Sequence, residues 1–372
     1  MRIGLVGPTY PYRGGIAHHT TLLCQELKKS HEVKFISYSR QYPAFLYPGK
    51  SDKDPSENPI TVDGVEYLID SCNPITWVKA AEELVRFEAE RVVIPWWVVF
   101  WAPLTLFLMM WLKLRSRAEI TVLCHNVIEH EASFWKALLT KMVLFWADHI
   151  ITQSKEETAK VLALLPEKTN ITTAFHPTYA PLAQETPTKE EAKKSLGLAG
   201  DVILFFGFVR HYKGLDILYE AMPHLLKERD VTLLVVGEFW KDRQRYFSLI
   251  DELDISASVC VEDRYVSNEE MSIFFHGADL VVQPYRSASG SGICQIAYGL
   301  DRPVVATNVG CLPEIISDKV NGRLVRPNDP RALARAIAES LDGETLTKLT
   351  AHARETKEKF SWQKLSALVC AA

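Results

Sequence analysis

Residues 1–39 read MRIGLVGPTYPYRGGIAHHTTLLCQELKKSHEVKFISYS. The apolar run MRIGLV is followed by a turn rich in glycine and proline, a run with the apolar spacing of a helix, and a second apolar run. This order predicts two parallel strands joined by a crossover helix, the unit of doubly wound α/β sheets. Because the first run meets turn formers after only a few residues, we expect a strand there rather than a secretion signal.

The same alternation continues along the chain and then starts again, which predicts two doubly wound domains. The first half includes a predicted hairpin at Ile60–Ile69, centred on Asp63-Gly64. Residues 175–200 are rich in Pro, Thr and charge, as in a linker, and a second alternation follows from 202 to 342. A length of 372 residues also exceeds what one core usually supports. We therefore place a boundary at Tyr179, with a ligand-binding cleft between the strand carboxyl ends of the two domains.

Composition and charge exclude some classes of protein. The chain is 47% apolar and 24% charged, as is usual for a folded protein. Its net charge of -4 argues against a protein that holds nucleic acid mainly by bulk electrostatics. The seven cysteines are dispersed and form no C-x-x-C pair, which favours a reducing compartment. We therefore expect a cytoplasmic protein with no nucleic-acid partner.

One segment, residues 92–114, is almost uncharged over a length that could cross a bilayer. Pro95 and Pro103 interrupt it, so we interpret it as a buried strand followed by a helix, with a transmembrane helix as the alternative. Peripheral contact with an anionic membrane is a separate prediction. The residues that motivate it are Trp101, Phe107 and Trp111, with the cations Lys113, Arg115 and Arg117 beside them.

The stretch SASGSGICQIAYG, Ser287–Gly299, places small residues between an apolar strand pattern and a helix-like run. Free N–H groups at the start of a helix, together with the helix dipole, bind anions, so we expect a phosphate site at Gly290–Ile293. Ser289 and Ser291 can add hydroxyl donors. The alternative is a plain turn in which a serine caps the helix.

A second stretch, GFVRHYKG at Gly207–Gly214, also lies between an apolar strand pattern and a helix. Arg210 and Lys213 should therefore lie at the same edge of the sheet as the small-residue loop. Two cations beside free N–H groups suit a diphosphate, whose charge they would stabilise as it leaves an activated donor. Either cation taken alone would be read as a solvated surface charge.

The first half of the chain contributes further candidates. Gly14 and Gly15 join the first strand to its helix and permit close approach of the backbone to a ligand. His125 directly follows a strand, where it could bond a polyhydroxylated ligand or handle a proton; a structural histidine is the alternative. Asp52 and Asp54 match a D-x-D pattern but lie in a polar loop, so we interpret them as solvated charge rather than a metal site.

Together these motifs resemble a retaining glycosyltransferase of family 4, glycosyl transferases group 1, with the GT-B fold of two facing Rossmann-like domains. The stretches that carry the resemblance are PYRGGIAHHT, VVIPWW, LCHNVIEHE, FHPTY, FFGFVRHYKGLDIL, LLVVGE, SGSGICQIAYGLDRPVVATNVGCLPEII and NGRLVRP. The resemblance implies an acceptor-side domain at 1–179, a nucleotide-sugar-binding domain at 180–345, and a closing helix at 346–372 that returns to the first domain. It also implies that no catalytic metal or cofactor is needed besides the nucleoside diphosphate sugar substrate.

When the family's functional residues are matched by position to this chain, the resemblance implies a role for each candidate. His125 would contact the donor sugar, and Arg210 and Lys213 would hold its diphosphate. The implied donor-binding residues are Gly14, Gly15, Glu238, Tyr265, Ser289, Gly290, Ser291, Gly292, Ile293 and Gln295. Retention in the family is pictured as front-face displacement, in which the leaving phosphate helps to deprotonate the acceptor.

The chain departs from the family at two positions. Many relatives carry a pair of glutamates eight positions apart where this chain has Ala288 and Ile296. Their contacts are therefore lost, supplied by Ser289 or Gln295, or made by other residues. Three functions stay open. One is hexosyl transfer to a glycan or lipid-linked acceptor in cell-surface polysaccharide or glycoconjugate synthesis, at the inner face of the membrane if the protein is peripheral. The others are a non-catalytic nucleotide- or glycan-binding relative and a sugar-nucleotide epimerase.

Overall fold

The computed structural model describes residues 1–43, 51–128, 134–179, 187–240 and 242–371. The chain divides into two compact units. Unit 1 comprises Met1–Asp54, Pro59–His176 and Ser361–Ala372, and unit 2 comprises Pro55–Asn58 and Pro177–Phe360. The predicted closing segment is thus divided, because residues 346–360 belong to unit 2. Residues 180–186 of the predicted linker, and the predicted start of a helix at 131, lie outside the described residues.

Unit 1 is a parallel sheet with helices between its strands. Its described strands are β1 (Arg2–Val6), β2 (Glu32–Arg40), β3 (Val65–Asp70), β4 (Arg91–Trp96), β5 (Glu119–Cys124), β6 (His149–Thr152) and β7 (Ile171–Thr173). Their order in the sheet is β3-β2-β1-β4-β5-β6-β7. The helices are α1 (Gly15–Leu27), α2 (Pro74–Arg86), α3 (Ala102–Arg115), α4 (Phe134–Trp146) and α5 (Lys155–Leu164).

The hairpin predicted at residues 60–69 is wrong. Val65 to Asp70 form the single edge strand β3, which pairs parallel to β2 with Val65 opposite Phe35, whereas residues 60–64 form no strand. Gly64 has a φ of 71° and leads the chain into β3 instead of reversing it. A parallel partner enters from a crossover, so no turn beside the strand is needed.

The apolar segment 92–114 folds as a strand and a helix, as predicted. Every residue of β4 is buried, and no helix among the described residues is long and apolar enough to cross a membrane. The Trp101 side chain is buried and its indole N–H donates to the Tyr42 hydroxyl at 3.2 Å, so the prediction that Trp101 touches a membrane is wrong. Trp111 donates to Glu82 at 2.8 Å, and Phe107 packs on α2.

Unit 2 is a second parallel sheet. Its described strands are β8 (Asp201–Phe206), β9 (Val231–Val236), β10 (Val259–Glu262), β11 (Leu280–Gln283), β12 (Val304–Thr307) and β13 (Gly322–Val325), in the order β10-β9-β8-β11-β12-β13. The helices are α6 (Lys189–Ser195), α7 (Leu215–Leu225), α8 (Arg243–Glu252), α9 (Asn268–Gly277), α10 (Gly292–Gly299), α11 (Leu312–Ile315), α12 (Pro330–Ser340) and α13 (Gly343–Lys359). The last helix, α14 (Trp362–Ala371), belongs to unit 1 and packs on α1. The predicted α/β class with two doubly wound domains is confirmed.

Candidate functional site

The strand order of unit 2 reverses between its two central strands, β8 and β11. Ligands of open α/β sheets bind outside the strand carboxyl ends at such a switch point. The loops that leave these two strands are residues 207–214 and 284–291. They are the loops that hold Arg210, Lys213 and the small-residue stretch, so the topology brings these two groups of predicted residues to one edge.

The two loops touch backbone to backbone. Gly214 has a φ of 67°, and a Cβ at this position would overlap the carbonyl oxygen of Pro284. Gly310 also lies against the small-residue loop, because a Cβ at this position would overlap the carbonyl oxygen of Ala288. The amide of Cys311 also donates to Ala288 O at 3.1 Å. The small-residue loop is therefore held from both sides by main-chain contacts that only glycine permits.

Arg286 ties these loops together, and sequence reasoning missed it. Its guanidinium donates both terminal nitrogens to the carboxylate of Asp216 at 2.8 and 2.9 Å, and it also reaches His211 O at 2.8 Å. The amide of Arg286 donates to Tyr212 O at 2.7 Å. The Asp216 pairing raises the pKa of Arg286, so the ion pair is charged at all ordinary pH values. A bidentate pair of this kind fixes direction as well as distance.

The start of α10 offers free backbone donors. Ser291 caps the helix: its hydroxyl accepts from the Cys294 amide at 3.1 Å and donates to Gln283 Oε1 at 2.9 Å. Its hydroxyl hydrogen is thus used inside the protein, and the plain-cap alternative describes Ser291. The amides of Gly292 and Ile293 open the helix and have no acceptor within it. These two N–H groups are what the loop can present to an anion.

Lys213 reaches the start of α10 from the other loop. A Cβ built on Gly207 would lie 2.8 Å from Lys213 Nζ and 3.4 Å from Ile293 Cδ1, which places the ammonium group and Ile293 on the same side of Gly207. Lys213 is only 7% exposed, and no described carboxylate forms an ion pair with it. Burial, and to a smaller extent the charge of Arg210, lowers the pKa of Lys213 to about 7. An anion at this position would relieve both effects.

Aromatic rings follow β8, β9 and β10 on the other side of Lys213. The Arg210 guanidinium lies over the ring of Trp240, 4.2 Å from its centroid. Phe208 packs against Trp240 at 4.4 Å and lies 6.1 Å from Tyr265, and the Trp240 indole N–H donates to Glu238 Oε2 at 3.4 Å. The predicted residues Arg210, Glu238 and Tyr265 are thus brought together. Sequence reasoning missed Phe208 and Trp240, although each lies in a loop that follows a strand.

In unit 1 the buried His125 belongs to a histidine group. The centroid of the His19 ring lies 4.4 Å from that of His125 and 5.1 Å from that of His176. Gln153 Nε2 lies 3.0 Å from His19 Nε2. Burial, with His176 next, lowers the pKa of His125 to about 3, and burial also holds the pKa of His19 well below its usual range. Within the described part of the chain, His125 Nε2 and His19 Nδ1 are buried without a hydrogen-bond partner. These neutral rings can therefore exchange hydrogen bonds with hydroxyl groups.

The D-x-D loop is partly buried. No cluster of His, Cys, Asp and Glu within the described ranges is arranged to hold a metal ion. The interpretation of Asp54 as solvated charge is wrong, because its side chain is only 3% exposed and lies 3.3 Å from His18 Nε2.

Gly14, the residue before α1, has a φ of 107° that favours glycine, and the space where a Cβ would stand is empty at both Gly14 and Gly15.

The positions of the missing glutamates lie in the protein interior. Ala288 and Ile296 are both buried. Gln295 is fully buried as well, and neither polar atom of its side-chain amide has a hydrogen-bond partner among the residues that the structure describes. Ser289 is half-buried. Of the two residues expected to replace the glutamate contacts, Ser289 is therefore the one with access to solvent.

Part of the chain matches a known family of proteins. Residues 200–342 match the family model described as glycosyl transferases group 1. The chain is 32% identical over 196 residues to a D-inositol 3-phosphate glycosyltransferase of Xylanimonas cellulosilytica, a match that covers 50% of this chain and 46% of that protein. It spans about half the length of the curated relatives that it matches.

Two solved structures have the same fold over the whole chain. Alr3699/HepE of Anabaena in complex with UDP-glucose superposes with a TM-score of 0.76 at 16% identity, covering 99% of this chain and 98% of that one. Sucrose-phosphate synthase (tll1590) from Thermosynechococcus elongatus gives a TM-score of 0.74 at 18% identity and covers 100% and 97%. The chain therefore has the GT-B fold of two Rossmann-like domains, and its residues 200–342, with the Lys213 and α10 loops, match the glycosyl transferases group 1 family.

Proposed function

We propose that this protein is a retaining glycosyltransferase of family 4, which moves a hexose from a nucleoside diphosphate sugar to a glycan or lipid-linked acceptor in the cytoplasm. One observation carries the proposal: the buried Lys213 Nζ and the side chain of Ile293, in the first turn of α10, both lie close to Gly207 at the switch point of a parallel sheet. Uncompensated cations and helix-start amides at one edge bind phosphate. The UDP and UDP-glucose in the HepE structures make UDP-sugars the first donors to test.

In the proposed reaction the bond between the anomeric carbon and the donor phosphate oxygen breaks, and negative charge develops on the diphosphate. Lys213 and the two amides stabilise that charge in a site with little water. The acceptor hydroxyl oxygen forms its bond on the face that the diphosphate leaves, and its proton passes to a phosphate oxygen. This order of events needs no protein nucleophile, and the protein cations take the place that a metal ion has in other transferases.

The remaining residues are assigned by the chemistry of their side chains. The Phe208, Trp240 and Tyr265 rings offer faces on which a nucleobase can stack. The carboxylate of Glu238 can accept hydrogen bonds from ribose hydroxyls. The proposal assigns neutral His125 to the hydroxyl groups of the donor sugar, and Gly14 and Gly15 to its phosphates.

A non-catalytic relative is the second candidate, favoured by the buried apolar side chains of Ala288 and Ile296. It keeps the diphosphate site and lacks the carboxylates that would grip sugar and ribose. The two candidates agree on nucleotide binding and differ only in turnover.

Thermal shift with UDP, GDP, ADP and CDP tests the shared part of the proposal. A ligand at 100 times its dissociation constant stabilises by about 2.7 kcal/mol. The stabilisation should be lost in Lys213→Met and kept in Lys227→Met, which removes an exposed lysine of the same unit. An equal shift in both variants would refute the site.

Release of free nucleotide from the stabilising donor then separates the two candidates. Slow hydrolysis without an acceptor, unaffected by EDTA, supports the transferase, and NMR of the product linkage should show a retained anomeric configuration. Binding with no turnover of any donor and acceptor supports the non-catalytic relative. Conversion of the donor sugar without nucleotide release would identify an epimerase.

A further inference from the structure

Helix α4 exposes a stripe of large apolar side chains on unit 1. Its outer residues are Phe134, Trp135, Leu138, Met142, Phe145 and Trp146, whose exposed fractions run from 41% to 86%. Their spacing of three, four and seven places them on one face of the helix. The opposite face, with Thr140, Val143 and Leu144, is buried in unit 1. A helix that is apolar on both faces needs a second apolar environment outside the unit.

Helices α3 and α4 carry cations and no acid. Residues 102–117 and 134–146 contain five Lys and Arg and no Asp or Glu, in a chain of net charge -4. Lys141 is exposed and lies at the edge of the apolar face, one residue before Met142 in the sequence. The acid that follows the helix, Asp148, is held by Lys113 at 2.5 Å.

The carboxyl end of α4 continues the same pattern. Phe145 and Trp146 line a shallow groove of about 330 Å³ together with two lysines, Lys113 and Lys168, and one acid, Asp148. Lys168 donates to the carbonyl oxygens of Phe145 and Ala147, the last acceptors of the helix. A cation at this place is favoured by the helix dipole and stands directly beside two exposed aromatic rings.

We propose that this face of α4 is a membrane-binding surface that docks unit 1 on an anionic bilayer. Phe134, Trp135, Phe145 and Trp146 would enter the headgroup level, where aromatic rings are favoured, while Lys141 and Lys168 meet lipid phosphates. Charge selects a lipid surface over a second copy of this chain. A two-fold contact through α4 would bring the same cations of both copies together with no acid between them. The surface differs from the one expected from Trp101, and it does not depend on the transfer reaction.

Flotation of the full chain with lipid vesicles tests the proposal. The protein should float with phosphatidylcholine vesicles that contain phosphatidylglycerol, and less at high salt, because the lipid charge is then screened. The double variant Trp135→Ser, Phe145→Ser should weaken the partition at least about tenfold. Ile75→Ser is the matched control: it removes an apolar side chain of unit 1 that is 68% exposed, and it should bind as the unchanged protein does.

Lys141→Gln tests the charge separately. It should lower binding to anionic vesicles about fivefold, whereas Lys79→Gln, at an exposed lysine on α2, should not. Quenching of tryptophan fluorescence by brominated acyl chains should fall in the double variant, because Trp135 is exposed whereas Trp96 and Trp101 are buried. Far-UV circular dichroism and a thermal melt of each variant without ligand serve as the folding control.

Three outcomes would overturn the proposal. One is that the unchanged protein fails to float with anionic vesicles at low salt. Another is that the double variant floats as well as Ile75→Ser does. The third is that the unchanged chain is a dimer that the double variant dissociates, since α4 is then covered by a second copy. A failure of UDP to stabilise the protein would refute the donor site and leave this surface standing.

Discussion

Binding of a nucleoside diphosphate should make the protein take up a proton at Lys213. In the free protein burial and Arg210 lower the pKa of this lysine to about 7, from an ordinary value of 10.5. A diphosphate beside the ammonium group favours the charged form and should restore a high pKa. At pH 7 about half of the Lys213 side chains are neutral, and at pH 8 about nine tenths are. The expected uptake is therefore about half a proton at pH 7 and close to one at pH 8.

Isothermal titration calorimetry measures this uptake directly. UDP is titrated into the protein at about pH 8 in two buffers of different ionisation enthalpy, where the terminal phosphate, with a second pKa near 6, is already ionised. The difference in observed enthalpy gives the number of protons bound. Lys213→Arg is the conservative control, because guanidinium stays protonated and should take up none. Uptake of equal size in Lys213→Arg, or none in the unchanged protein, would refute the reasoning.

The same pKa makes a prediction for stability without ligand. Between pH 7 and 10.5 the unfolded chain binds more protons at Lys213 than the folded chain does, so this group's contribution to stability rises with pH across that window. The full penalty, reached below pH 7, is at most about 5 kcal/mol, from a shift of roughly 3.5 units at 1.36 kcal/mol each. Lys213→Met should therefore raise the free energy of unfolding at pH 7, and the gain should vanish near pH 10.5. Urea unfolding at both pH values measures it, and an equal gain at both would contradict the assigned cause.

Three further predictions concern the loop and the histidines. Gly310→Ala should lower the free energy of unfolding by about 2 kcal/mol or more and weaken UDP binding, because its Cβ would overlap Ala288 O at a φ of 54°. Gly343→Ala is the control, because the space around Gly343 is open, and it should change neither quantity. Urea unfolding measures the stability and calorimetry measures the binding. Ser291→Ala should cost about 1 kcal/mol of unfolding free energy through the lost cap of α10, and no loss in urea would contradict the cap. His125 has a pKa of about 3 folded and 6.5 unfolded, so stability should fall below pH 6.5 by up to about 1.4 kcal/mol per unit for this group. His125→Gln should flatten that acid slope in thermal melts.

Local patterns predicted most of the fold because both sheets are parallel and buried. Such strands appear as continuous apolar runs, and the helices between them appear as amphipathic runs. The predicted start of a helix near Gly292 is confirmed, with α10 beginning at Gly292 after the Ser291 cap. Short strands such as β7, Ile171–Thr173, were missed because three residues carry too little pattern. The hairpin at residues 60–69 was wrong because a turn signal before a strand does not say which strand it will pair with.

The candidate site was predictable only in part. Loops that follow parallel strands gather at one edge, so the strand-helix pattern alone placed Arg210 and Lys213 beside the small-residue loop. The strand-helix pattern could not predict which side chains form hydrogen bonds and ion pairs within these loops. Arg286 pairs with Asp216 across 70 residues of sequence, and Ser291 turned out to use its hydroxyl on Gln283 inside the protein.

By itself the sequence determined the class of fold, the two doubly wound domains and the loops that carry the cations, because these follow from the local spacing of apolar residues and turn formers. Tertiary structure decided which polar groups are buried and what they meet. It made Lys213 a desolvated cation without a described carboxylate and gathered His19, His125 and His176 into one group. It also buried Trp101 while leaving the apolar face of α4 exposed. Burial and long-range contact depend on how distant segments pack, and no local pattern of residues encodes that.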